Sequence, residues 1–294
     1  MKRILFVTSN RIGDAVLSTG LLDHLLRAHP EARFTVACGT VATGVFERMP
    51  RLERLIALEK RRDRRHWLPL WAATAFTAWD LVVDIRASAL AYRVPTRRRA
   101  RMRRASGPKI AQLGAVLGLD PPPLPVAWTA PADEARAASL LPPGKLLVLA
   151  PTANWSGKIW PAERFVSVGN ALLAGPLAGA AVAVIAGPGA MERELVAPVL
   201  AAFPAAIDLV GSLSLPEAAA CLRRTSLFIG NDSGLMHLAA AAGAPTLGLF
   251  GPTPAGEYAP AGPRAAAVVA ADGTMTGLGV EQVLAAAVHL LEGR

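Results

Sequence analysis

The chain has 294 residues, 52% of them hydrophobic and 5% aromatic, with a mean hydropathy of +0.36. That length exceeds one typical domain, and the Ala-, Leu- and Val-rich apolar content excludes wholesale disorder and favours buried parallel strands over an antiparallel sandwich. The formal charge of +9 and a pI near 10.5 ask for either an anionic partner or a strongly solvated face.

Met1, Lys2 and Arg3 precede an apolar run too short for a signal-peptide core, since Asn10, Arg11 and Asp14 follow at once. Residues 4–8 read as a buried strand, 14–28 as a helix and 34–38 as the next strand. A further strand pattern stands at 81–85, between two basic runs. The first is Lys60, Arg61, Arg62, Arg64 and Arg65; the second is Arg93, Arg97, Arg98, Arg99, Arg101, Arg103 and Arg104. These runs read as a solvated face or as a contact for anionic lipid headgroups, phosphorylated glycolipid or nucleic acid. Zinc-finger spacing and an aromatic RNA-binding pattern are both missing beside them, so nucleic acid is not expected as a partner. The prolines at 121, 122, 123 and 125 exclude regular helix or central strand. The stretch from there to about 143 reads as a linker, giving two α/β domains, 1–140 and 141–294.

The second half restarts with a strand at 145–150, then a helix at 161–173 and a strand at 181–186. A helix from about 191, a short element at 207–210 and a helix from Ser214 to about Arg224 follow. Then come a strand at 226–229, a helix at 234–242, a strand at 246–250 and a closing helix at 278–291, which can pack back on the first domain. The charge-free stretch 165–191 is broken by five glycines and two prolines, so it reads as helix, turn and strand and not as a membrane span. Cys38 and Cys221 lack metal-ligand or disulfide spacing and read as small buried hydrophobes in a reducing compartment. Two doubly wound halves place ligands beyond the carboxyl ends of their strands.

Three loops carry candidate chemistry. The sharpest is Gly230-Asn231-Asp232-Ser233-Gly234-Leu235-Met236-His237, where a strand turns through small capping residues into an Ala-rich helix. Such a helix start is a natural seat for a diphosphate, and an ordinary N-cap with a buried histidine is the plainer alternative. The second is Thr152 to Pro161, with Thr152 and Ser156 as hydroxyl donors and Lys158 as a mobile cation; the spacing is not that of a Walker A loop. The third is Asn10-Arg11-Ile12-Gly13-Asp14 after the first strand, where Asp14 is either a favourable first-turn acid or a general base. A dehydrogenase fits poorly, because no GxGxxG follows that strand.

Ile12-Gly13-Asp14, the stretch Lys158-Ile159-Trp160-Pro161-Ala162-Glu163-Arg164-Phe165, the Gly230 to His237 loop and Leu249-Phe250-Gly251-Pro252-Thr253 stand in a familiar order. Together they resemble glycosyltransferase family 9, the ADP-heptose:lipopolysaccharide heptosyltransferases, over nearly the whole chain. The resemblance implies a GT-B fold, α/β, with two doubly wound Rossmann-like domains facing a central cleft. It implies an inverting, metal-independent transferase without a cofactor, with acceptor in the first domain and nucleotide-sugar donor in the second. By position, Asp14 is similar to the family's catalytic base. Thr152, Ser156, Lys158, Asp232, Ser233, Gly234 and His237 resemble its donor contacts, and Glu192 matches an acidic residue near the ribose. Asn10, Arg11, Gly13 and Arg86 fall on the acceptor side. The departure is also there: Ile85-Arg86-Ala87-Ser88 stands where family members often show Gln-Gly. The implied setting is cytoplasmic, with peripheral contact at the inner membrane and an anionic glycolipid acceptor. The alternatives are a GT-B-like nucleotide-sugar epimerase and a non-catalytic nucleotide-sugar-binding protein.

Overall fold

The computed structural model describes residues 2–59, 67–103 and 105–293. The chain divides into two compact units, Met1–Trp128 and Thr129–Arg294. The first basic run and Arg104 lie outside the described residues.

In the first unit the elements are β1 (Arg3–Val7), α1 (Ile12–Leu17), α2 (Thr19–Ala28), β2 (Arg33–Gly39) and β3 (Leu52–Leu58). They continue with α3 (Trp67–Thr74), β4 (Trp79–Asp84), α4 (Leu90–Arg93), β5 (Thr96–Arg101) and α5 (Lys109–Ala115). Its strands are all parallel in the order β3-β2-β1-β4-β5. β1 is apolar at successive positions because both faces are covered, as parallel sheets require. Leu5 and Val7 join Leu70, Trp79, Val82 and Leu90 on one face, while Ile4 and Phe6 are buried on the other.

The single helix expected at 14–28 is two helices, with the break at Ser18. The Ser18 hydroxyl bonds the carbonyl of Ala15 at 2.7 Å and meets the Thr8 hydroxyl at 2.9 Å, so this side chain competes with the helix ladder. The second arginine run is largely a strand: Arg97, Arg98, Arg99 and Arg101 all belong to β5 at the sheet edge. Arg99 Nε donates to the Ala91 carbonyl at 2.6 Å, and the Arg101 guanidinium lies 4.4 Å from the Tyr92 ring centroid.

The second unit runs α6 (Pro131–Leu140), β6 (Leu146–Ala150), α7 (Ala162–Ala174), β7 (Ala181–Val184), α8 (Ala190–Ala202), β8 (Ile207–Asp208) and α9 (Leu215–Arg223). β9 (Leu227–Asn231), α10 (Gly234–Ala241), β10 (Thr246–Phe250), α11 (Ala255–Tyr258), β11 (Ala265–Val269) and α12 (Val280–Leu291) complete it. The parallel order β11-β10-β9-β6-β7-β8 reverses direction between β6 and β9, the doubly wound pattern. α6 occupies part of the stretch expected to be linker. Its Ala137 is buried, and its Glu134 is bridged to Arg223 of α9 at 2.9 Å. α12 packs on α7 and β11, its Val283, Ala287 and Leu290 entering the core with Leu147, Phe165 and Leu249.

α9 has a complete N-terminal box. Ser214 N and Oγ both donate to Glu217 Oε2 at 2.8 Å, and Ser214 Oγ accepts from Glu217 N at 3.4 Å. Those bonds hold the Glu217 carboxyl below its ordinary pKa. A depressed carboxylate stabilises the fold above its unfolded pKa and loses that contribution as pH falls through the folded one. Ser214→Ala is therefore expected to cost about 1 kcal/mol at neutral pH and less in acid, measured by urea unfolding at both. An equal cost at both would mean that the carboxylate plays no part.

Among the described residues no helix is long and apolar enough to cross a membrane; within 165–191 the chain forms most of α7, then β7 and the first residues of α8. Burial pushes the thiols of Cys38 and Cys221 up to about 12 and about 11.

Candidate active site

The loop after β6, the β9–α10 turn and the end of β10 come together because β6 and β9 are neighbours at the point where the strand order reverses. Ala150 pairs with Gly230, and Asn231 with Leu249. Gly230 permits that approach: a Cβ there would lie 2.8 Å from the Phe228 ring and 2.9 Å from the Ala150 Cβ.

Lys158 closes a short 3₁₀ turn begun by exposed Ser156, and its Nζ donates to Asp232 Oδ2 at 2.5 Å. The Asp232 side chain is 8% exposed and that of Lys158 22%. Asn231, fully buried, accepts the Trp160 N–H on Oδ1 at 3.1 Å, which ties the two loops a second time. Trp160 is itself buried edge-on to Phe165 at 5.0 Å and donates Nε1 to the Leu278 carbonyl at 2.9 Å. Arg164 reaches the same carbonyl at 2.6 Å. Ser233 is the N-cap of α10, accepting from Met236 N at 3.5 Å, with Gly234 as the first helical residue. The amides of that first turn and the positive helix end therefore open beside the Lys158–Asp232 pair.

Thr152 is buried at the end of β6, and His237, fourth in α10, is 5% exposed. Glu192 stands apart in the first turn of α8, folded over Gly189. Among the described residues no hydrogen bond or ion pair joins it to the Lys158–Asp232 pair. The role of Asn231 as a clamp exceeds what its capping type signals in sequence.

In the first unit β1 and β4 flank the corresponding reversal point. Asp14 lies in the first turn of α1, partly buried, and its Oδ2 accepts from Ser9 Oγ at 3.2 Å. Ser9 Oγ also accepts from Arg11 N at 3.1 Å, so one hydroxyl fixes both residues. Gly13 precedes Asp14 in the helix, and the Arg11 side chain is exposed. Gly39 lets this loop lie against β2: a Cβ on it would come 2.5 Å from the Asn10 Cα. Asn10 Oδ1 accepts from Arg86 Nη1 at 2.8 Å, joining two residues that are 76 apart in sequence.

Arg86 sits on a turn built by buried Asp84, which accepts from Arg86 N at 2.9 Å and from Ser88 Oγ at 2.6 Å. Burial raises the Asp84 pKa, opposed by those bonds. Burial also lowers that of Arg86, opposed by Asp84, and the guanidinium lies 5.0 Å from the Trp67 ring centroid. Ala87 in this turn takes φ 53, a left-handed conformation that glycine adopts more readily. Ser9 and Trp67 are thus added to the residues expected on this side.

A cavity of about 570 Å³ lies at the opposite, amino ends of β6, β9 and β10. Its cations are already engaged, Lys145 with the Pro176 carbonyl and Arg264 with that of Leu290. Among the described residues no group of three or more His, Cys, Asp or Glu is placed to hold a metal.

Residues 100–285 match the family model described as Glycosyltransferase family 9 (heptosyltransferase). The chain belongs to glycosyltransferase family 9. It is 34% identical over 109 residues to lipopolysaccharide heptosyltransferase 3 of Escherichia coli, a match to 36% of this chain and 31% of that protein. The chain thus spans about a third of the length of this relative. The crystal structure of a family 9 glycosyl transferase from Veillonella parvula DSM 2008 superposes with a TM-score of 0.81 and 25% identity, covering 100% of this chain and 98% of that one. The E. coli ADP-heptose lps heptosyltransferase II superposes at 0.76 with 20% identity, over 100% and 99% of the two chains. The two parallel α/β units are those of the GT-B fold shared with these family 9 structures.

Proposed function

We propose that the protein is an inverting, metal-independent glycosyltransferase. It moves a heptose or related sugar from ADP-heptose to a hydroxyl of an anionic lipopolysaccharide-core acceptor. The observation that carries this reading is the Lys158–Asp232 pair held beside the start of α10 at the reversal point of the second sheet. A lysine and free first-turn amides stabilise the charge that gathers on a departing diphosphate, the task a metal performs in other transferases. The names of the E. coli relatives, an ADP-heptose lps heptosyltransferase and lipopolysaccharide heptosyltransferase 3, support the choice of donor and acceptor.

In this reading the second unit holds the donor through Thr152, Ser156, Lys158, Asp232, Ser233, Gly234 and His237, with Glu192 toward the ribose. The first unit presents the acceptor to Asn10, Arg11, Gly13 and Arg86. The acceptor oxygen attacks the anomeric carbon and gives its proton to Asp14, while the bond from that carbon to the diphosphate breaks and ADP leaves. The setting is the cytoplasmic face of the inner membrane.

The test is ADP release from ADP-heptose and a deacylated core acceptor, with and without EDTA. Release that requires both substrates and survives the chelator is the expected result. ADP binding without release on any acceptor would instead make the chain a nucleotide-sugar-binding protein. Isomerised sugar would make it an epimerase.

A further inference from the structure

Helix α3 has the sequence WLPLWAAT and carries no charge. Leu70 and Thr74 are buried against the first unit's core, yet the other side of the helix is equally apolar and faces water. Leu68 is 62% exposed, Trp71 41%, and Phe76, two residues past the helix end, 92%. Leu68, Trp71 and Ala72 share a face by their three- and four-residue spacing. A soluble surface helix normally turns charged residues to this side. Tyr92 of α4, 64% exposed, continues the patch: Trp71 Nε1 donates to the Arg93 carbonyl next to it at 3.1 Å.

The surroundings of this patch are cationic. Between 67 and 103 seven arginines stand against two aspartates. Both acids are already taken, Asp84 in its turn and Asp80 by the Arg3 amide at 2.9 Å and Arg97 at 3.2 Å. Arg101 bonds the Tyr92 hydroxyl at 2.6 Å, so the edge strand and the apolar patch are in direct contact. Counted over 60–104, the sequence has thirteen Lys and Arg against three Asp, which exceeds the net charge of +9 of the whole chain. In sequence, the cationic residues of this protein are therefore concentrated on either side of α3, an uncharged and half-exposed helix.

We infer that the outer face of α3, with Phe76 and Tyr92, is a membrane-docking surface. Its apolar side chains enter the acyl boundary of an anionic bilayer, and Arg93, Arg97, Arg101 and Arg103 engage the headgroups. Aromatic residues at the headgroup level beside basic side chains are what an interfacial element needs. A nucleic acid would use the arginines but leave Leu68 and Phe76 without a partner. The proposal rests on the reading of a lipid-linked acceptor only for its choice of occupant. The test therefore uses vesicles that contain no acceptor.

The experiment is co-sedimentation with vesicles of phosphatidylethanolamine and phosphatidylglycerol, against vesicles of phosphatidylcholine alone. The wild type is expected to bind the anionic vesicles and to lose most binding to the neutral ones. Leu68→Asp/Phe76→Asp, both at exposed positions, is expected to lower the partition coefficient at least about tenfold, since each removes an inserting side chain and adds a repelled charge. Its unfolding midpoint and its turnover of a deacylated acceptor should stay at wild-type values. Brominated acyl chains should quench a tryptophan signal that is absent in Trp71→Phe. Three results overturn the proposal: no binding to anionic vesicles, binding that the double variant leaves intact, or tighter binding to single-stranded oligonucleotides lost with the same double variant. Failure of sugar transfer with vesicle binding intact would sink the catalytic reading and leave this one standing.

Discussion

Asp14→Asn is expected to lower the rate of ADP release by about 100- to 10,000-fold, the span general-base catalysis covers, while ADP affinity changes less than about threefold. The substitution keeps the shape of the side chain, and the remaining carbonyl oxygen still accepts from Ser9 Oγ, as Oδ2 does at 3.2 Å. What disappears is the group that can take the proton. Asp14 makes no salt bridge among the described residues, so the loss cannot be attributed to a cation set adrift. Because the residue belongs to the first unit and the proposed donor contacts to the second, kcat should fall while binding holds. Calorimetric ADP titration beside steady-state turnover separates the two. Unchanged kcat would remove Asp14 from the chemistry and return it to the role of a first-turn acid.

Lys158→Ala is expected to have two consequences that a second substitution pulls apart. Asp232, its side chain 8% exposed, loses the ammonium 2.5 Å away. Breaking a buried pair costs about 3–5 kcal/mol, and partial exposure of Lys158 brings the expected loss down to about 2–3 kcal/mol. If the diphosphate sits where proposed, it also loses a charge-assisted contact, and ADP binding is expected to weaken by about 10- to 100-fold. Adding Asp232→Asn removes the stranded carboxylate, so the double variant should recover most of the stability in urea unfolding and none of the affinity lost with the lysine. Recovery of both would show that the pair is structural and that the diphosphate sits elsewhere. Recovery of neither would show that Asp232 is needed in its own right.

Most of the doubly wound architecture is legible from pattern, because its central strands hold continuous apolar runs such as LLVLA in β6 and LFI at the start of β9. What escapes is what pattern does not encode. β5 reads TRRRAR, which no apolar periodicity marks as a strand; it is one because β4 offers a ladder beside it. β3, LERLIAL, and β11, AAAVV, are likewise edge strands with weak patterns. α6 is hidden behind a proline cluster and is held by α9, a partner far away in sequence. The break at Ser18 depends on a hydroxyl contact with Thr8 that no local rule foresees.

The site divides the same way. Helix-capping types and a lysine in a polar loop flag Asp232, Ser233 and Lys158, because those residues are chemically unusual where they stand. That Lys158 meets Asp232, or Asn10 meets Arg86, is set by strand order. Those partners are 74 and 76 residues apart. Glu192 is flagged only by its place after a glycine-proline turn, and its carboxylate lies over Gly189 at the start of its own helix.

The arginines of β5 have one more consequence. The outermost strand of an open sheet offers unpaired backbone groups to any extended chain that drifts past, which is how ordered sheets grow into aggregates. Here that rim bears Arg97, Arg98 and Arg99 in succession, all exposed, with side chains alternating to the two sides of the strand. A second copy aligning its own β5 there would stack like charges along the whole contact. Like charge along β5 thus works against this edge of the first sheet pairing with the same edge of a second copy.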